Sequence, residues 1–267
     1  MNLETLVARV AEGLAYVDQN TNFVGSSART GMTYLPGVPS MTEPQLCAEL
    51  VEWWKAAYAS DFDPSGTCAR EVPYPALKGA SCDIVFRSPA GASAGPEWAI
   101  ELKRIQFIGD NGKNNDFNVQ KALSPYLKDR SLIHDILRMR RYPLASRHAV
   151  VGYAFSYSFQ SCEVAAGRHP DETGRVNEIR AVCRKNDRAN GVLDPAELVD
   201  FADLLFRRED LVSDHRRQPF SDLWRHPCGG NGLVFGWEVK WDPSVVMLGQ
   251  DSHQRSIPIE LDLGMSS

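Results

Sequence analysis

Two short stretches decide how this chain is read: Cys82-Asp83-Ile84-Val85-Phe86, and Trp98-Ala99-Ile100-Glu101-Leu102-Lys103-Arg104 continuing to Phe107. Both are rich in strand-forming residues, and the Ser/Ala/Gly/Pro stretch 88–96 separates them, so they predict the two strands of a hairpin with an irregular tip. Side chains alternate along a strand, so Glu101 and Lys103 share one face while Ile100 and Leu102 take the other. The hairpin brings Asp83 to the neighbouring strand. Two carboxylates and an ammonium thereby converge at one sheet edge.

An acid flanked by Ile100 and Leu102 on a strongly apolar strand belongs to a buried sheet, where charges are rare unless they serve a site. Two carboxylates with open positions suit Mg²⁺, a hard cation that keeps several waters and completes its shell with substrate phosphate. Such an ion polarises a phosphoryl oxygen and activates water, and a nearby lysine can orient that water or stabilise transition-state charge. Phosphodiester hydrolysis needs this set.

Working outward, Thr42-Glu43-Pro44-Gln45 offers an N-cap, an early proline and a capping-box Gln, opening a helix that runs to about Ala59. A strand is expected from Cys68 to Tyr74, and a polar, Asn-rich loop from Gly109 to Asn118. A helix then follows from about Leu127 to Arg141, and another strand from His148 to Tyr157. The order from Thr42 to Tyr157 is therefore αβββαβ, an α/β (α+β) arrangement with a mixed central sheet flanked by helices. Before it, Leu3, Leu6, Val7, Val10, Leu14 and Val17 mark an amphipathic helix; after it, Asp194-Pro195 opens a helix to about Arg208, and Gly232 to Trp241 reads as a late strand. The expected organisation is an N-terminal helix and loop (1–40), a core (41–160) that carries this hairpin, and C-terminal helices and strand (161–267) that complete the core or serve recognition or dimerisation.

An Asp, a hairpin and then Glu-x-Lys resembles the PD-(D/E)XK nuclease superfamily, the restriction-endonuclease-like fold, whose core order is also αβββαβ. The matching residues are Asp83 and Glu101-Leu102-Lys103; Cys82 stands where the family name places proline. The resemblance implies that Asp83 and Glu101 bind metal and that Lys103 assists the water.

Many members place a further acid on the first core helix. At about 100° per residue, Leu46, Cys47, Leu50, Trp54 and Ala57 centre an apolar face on which Glu43 falls, with Glu49 at its margin and Glu52 on the solvent side. Glu43 is the residue assigned, Glu49 the second choice; an acid in a first turn is also favoured simply by the helix dipole. Gln106 and Gln120 are weaker candidates for lining the site. The Gln-x-x-x-Tyr spacing of the RecB-like branch is absent, since position 124 is Ser124.

Of 267 residues 43% are hydrophobic and 24% charged, with a net charge of -5, which excludes a disordered chain and a generally basic coat. The charge is segregated, however. Residues 121–150 hold seven basic side chains against Asp129 and Asp135, a local +5 on and around the helix following the proposed site. Lys128, Arg130, Arg138, Arg140 and Arg141 are the candidate DNA-phosphate contacts, although a solvated helix face gives the same pattern.

The six cysteines form no C-x-x-C pair and read as reduced thiols without a zinc site. His215 and His226 read as loop histidines. Neither a secretory signal nor a membrane-length apolar run is present, so a cytoplasmic protein is expected. The expectation is a Mg²⁺-dependent endonuclease acting on DNA, double-stranded and cut by a homodimer, in restriction or phage defence. The alternative is a catalytically inactive nuclease fold that binds DNA or protein.

Overall fold

The computed structural model covers the whole chain and describes residues 1–26, 31, 33, 36–62, 68–75, 77–86, 96–108, 121–124, 130–168, 174–187, 194–223 and 228–241. Its centre is a six-stranded mixed sheet in the order β1-β2-β3-β4-β6-β5. The strands are β1 (Ala69–Pro73), β2 (Ser81–Phe86), β3 (Trp98–Ile105), β4 (Arg147–Phe155), β5 (Val212–Phe220) and β6 (Gly232–Val239). Neighbours are antiparallel except β3 and β4, which run parallel. Parallel neighbours need a crossover, and a helix lies within it, α4 (Leu132–Arg141). The other helices are α1 (Leu3–Asn20), α2 (Glu43–Ala57), the single turn α3 (Ala59–Phe62), α5 (Phe159–Arg168), α6 (Gly174–Asp187) and α7 (Pro195–Arg208). None of the described helices is long and apolar enough to cross a membrane.

Local chemistry sets the helix starts. Thr42 and Gln45 form a reciprocal capping box at α2, and Asp194 caps α7 through the Ala196 amide. α4 begins at Leu132, five residues later than its apolar pattern suggested. Ser131 caps it by accepting the His134 amide, and Arg130 before it has φ +46°, which no helix accommodates. Residues 125–129, with Lys128 and the first part of the expected helix, lie outside the described residues, as do most of the hairpin tip, the Asn-rich loop, Gln120 and His226.

One apolar core runs from α1 to β6. α1 packs against β5 and β6, with Leu3 and Val7 over Gly236. α2 buries Leu46, Cys47, Leu50, Val51 and Trp54, and Trp54 stacks on Phe62 at 4.3 Å. The N-terminal helix and the C-terminal strands are thus parts of the same sheet-centred core as residues 41–160.

β5 was not expected. Its sequence, Val-Ser-Asp-His-Arg-Arg-Gln-Pro-Phe, is polar through the middle, because it is an edge strand with one neighbour and only its ends, Val212 and Phe220, are buried. Charged side chains and a proline on an edge are how sheets discourage further pairing.

Candidate active site

The β2–β3 register pairs Ile84 with Ile100, and one step further sets Asp83 beside Glu101. Their carboxyl groups are close enough to perturb one another electrostatically. Asp83 Oδ2 accepts the Leu102 amide at 2.7 Å. Glu101 is 3% exposed, and its Oε1 accepts both the Tyr74 hydroxyl at 2.7 Å and the Arg138 guanidinium at 2.6 Å. Tyr74 follows β1 directly, so three adjacent strands contribute to this corner.

Lys103 follows two residues along β3 and is also buried. Its Nζ lies 2.9 Å from Asp135 Oδ2 and 3.9 Å from Glu43 Oε2. Asp135, on α4, turns its other oxygen to Arg138 at 2.7 Å. The side chains form a chain of alternating charge: Glu43, Lys103, Asp135, Arg138, Glu101. It ties α2 and the crossover helix to the central strand.

Glu43 is anchored on its own account, its Oε1 accepting the Arg104 amide at 2.9 Å. Glu49 is exposed. Glu43 is therefore the α2 acid that reaches the cluster. Beside it opens a cleft of ≈ 340 Å³ lined by Thr42, Glu43, Pro44, Arg104, Gln106 and Lys121. Gln106 meets the Ile108 carbonyl at 2.8 Å, and Lys121 Nζ lies 3.7 Å from Glu43.

Electrostatics follow from this geometry. Burial, then the neighbouring Asp135 and Asp83, hold the Glu101 carboxyl well above the usual carboxylate range, and burial raises Asp83 too. Burial alone would lower Lys103, but Asp135 and then Glu43 outweigh it and hold the ammonium above the ordinary lysine range. Lys103 is a fixed cation at neutral pH, able to orient water or stabilise negative charge and unable to act as a base.

The donor set suits a hard cation. Among the described residues no group of three or more His, Cys, Asp or Glu side chains is arranged to hold a metal ion. Mg²⁺, however, is commonly held by one or two carboxylates plus substrate phosphate. Asp83 and Glu101 are two such carboxylates on neighbouring strands, and burial is the first cause of the raised proton affinity of both.

The basic residues separate. Arg138, expected on a phosphate-tracking surface, instead turns into the site, because Asp135 and Glu101 offer it two carboxylate partners. Arg130 and Arg141 are exposed and Arg140 is half-buried. Sequence reading missed Asp135 and Tyr74. Asp135 had a signal: at about 100° per residue it falls about 60° from Leu132 and about 40° from Met139, on the apolar stripe of α4. Tyr74, at a strand end, had none.

Elsewhere, all six cysteines are free thiols, and three from separate segments meet: Cys162 Sγ lies 3.2 Å from Cys183 Sγ and 3.3 Å from Cys228 Sγ. His215 lies in β5, not a loop, stacked on Trp237 at 4.9 Å with Nδ1 3.4 Å from Asp203. Comparison with known protein families, curated proteins and solved structures finds no match.

Proposed function

We propose that this chain is a Mg²⁺-dependent endonuclease that hydrolyses DNA phosphodiester bonds, built on a restriction-endonuclease-like core of the PD-(D/E)XK type. The observation that carries the reading is the convergence of Asp83 and Glu101 with the Lys103 ammonium on one strand pair. The element order α2-α3-β1-β2-β3-α4-β4, in which α3 is a single turn, with β1, β2 and β3 successively antiparallel and β4 parallel to β3, supports the same reading.

Asp83 and Glu101 would hold the cation, which when bound supplies Lewis-acid polarisation of the phosphoryl oxygen and charge for activating water. The chain's own groups do the rest. Lys103, kept protonated by Asp135 and Glu43, offsets the charge that builds on the phosphorane oxygens. The Leu102 amide and Tyr74 fix one oxygen of Asp83 and of Glu101 respectively, so neither carboxylate must reorganise during the reaction. Exposed Arg130 and Arg141 are suited to duplex phosphates, with Arg140 beside them. One such centre cuts one strand, so double-strand cleavage calls for a homodimer, and a cytoplasmic role in restriction or phage defence fits this activity.

The test is incubation of the purified chain with duplex DNA, single-stranded DNA and RNA, with Mg²⁺ or with EDTA. Cleavage of duplex DNA only in Mg²⁺ supports the reading, and RNA as the sole substrate would move it to a ribonuclease. A second reading, a nuclease fold that binds without cutting, is favoured by the Arg138 bridge to Glu101, which satisfies buried charge from within the protein. It predicts DNA or protein binding that is indifferent to EDTA.

A further inference from the structure

Arg138 occupies an unusual place for a cation on α4: Arg141 is exposed and Arg140 half-buried, but Arg138 turns into the site. Its Nη2 lies 2.6 Å from Glu101 Oε1 and 2.7 Å from Asp135 Oδ1, its Cζ lies 5.3 Å from the Tyr74 ring centroid, and its side chain is 22% exposed. Its Nε is buried without a hydrogen-bond partner. This is a guanidinium drawn in by charge and not by complete hydrogen bonding. Its one bond to Glu101 falls on the oxygen that also takes the Tyr74 hydroxyl, while Asp135 keeps it from swinging out to solvent.

A positive charge at 2.6 Å from a carboxylate lowers the attraction of that carboxylate for any second cation, whichever oxygen the second cation uses. The same bond fixes the Glu101 rotamer before a cation arrives. We infer that Arg138, held by Asp135, is a positioning residue that competes with the divalent cation for Glu101, so that the site gives up metal affinity to gain a pre-set carboxylate and a second cation beside the phosphate. This inference rests on the nuclease reading for its consequence in cleavage, but its binding consequence is independent of turnover. Among the described residues the site also contains Lys103, but Lys103 faces Asp135 and Glu43 and makes no ion pair with Glu101.

The experiment compares the full chain with Arg138→Gln and Arg138→Lys. Mg²⁺ binding is followed by calorimetry on metal-free protein, and cleavage at saturating Mg²⁺ in single turnover. Arg138→Gln is expected to bind Mg²⁺ about tenfold more tightly, the effect of removing roughly 1.4 kcal/mol of repulsion, and to cut about a hundredfold more slowly. Arg138→Lys, with charge but no fork, falls between the two in both measures. A merely structural arginine would weaken metal binding and cleavage together. Binding by Arg138→Gln that equals or falls below wild type overturns the inference; if that variant does not fold, Arg138→Lys binding no more tightly than wild type overturns it. Wild type that binds no divalent cation ends both this inference and the nuclease reading. Wild type that binds Mg²⁺ without cutting any nucleic acid ends the nuclease reading and leaves the competition to be decided by the affinity ratio.

Discussion

The Asp135 carboxylate, buried on the crossover helix, lies 2.9 Å from the Lys103 ammonium on the central strand. Both groups are almost wholly withdrawn from water, and the same carboxylate also takes Arg138. One side chain thus holds both cations of the cluster. Removing one partner of a buried pair leaves an uncompensated charge, which costs about 3–5 kcal/mol. Asp135→Asn is expected to lose stability of that order in urea unfolding and to lose cleavage, whereas Asp135→Glu should recover part of both. An unchanged unfolding midpoint in Asp135→Asn would remove Asp135 from the account.

Tyr74 gives a milder probe, because it touches Glu101 through a single hydroxyl at 2.7 Å. A hydrogen bond to a charged group contributes about 1.5–3 kcal/mol. Tyr74→Phe should be destabilised within that range and cut more slowly without becoming inactive. Loss as complete as in a Glu101 variant would mean that the hydroxyl has a direct chemical part.

These two residues mark where sequence reading stopped. The hairpin, the capped start of α2 and the mixed α/β sheet were legible because alternation, capping chemistry and turn residues are local. Glu43 could be found because a charge on an apolar stripe has few reasons to be there. Asp135 carried the same signal on α4 but was counted only in a regional charge sum. That sum also grouped Arg138 with the outer arginines, since net charge says nothing of which way one guanidinium points. β5 escaped because its strand character comes from pairing with β6 and not from its own residues.

His148 predicts a pH effect. Its Nε2 accepts the amides of Leu144 at 3.0 Å and Ala145 at 3.4 Å, so the ring must be neutral, and burial pushes it down from 6.5 to about 4. The unfolded chain therefore takes up a proton below about 6.5 while the folded one resists until about 4. The contribution is fully present above that upper value and is lost as pH falls through the window, by on the order of 3 kcal/mol in total. Urea unfolding at pH 7, 5.5 and 4.5 should show the decline, and His148→Gln should reduce it. Equal slopes in the two proteins would exclude this residue as its source.

Gly152, on β4, pairs with both Lys103 and Phe235. A Cβ there would run into the Phe235 ring. Gly152→Ala is expected to cost about 1–3 kcal/mol through overpacking, and adding Phe235→Leu should return part of it. Additive losses in the double variant would show that the ring is not the obstacle.

The central claim is that Asp83 and Glu101 together make a cation site that cuts DNA. It is tested most directly by Mg²⁺-dependent cleavage of duplex DNA by wild type, Asp83→Ala and Glu101→Ala, each checked for folding by circular dichroism. The account predicts cleavage by wild type that EDTA abolishes, and none by either variant while its fold is retained. Undiminished cleavage by both variants, or no metal-dependent cleavage by the folded wild-type chain, would contradict it.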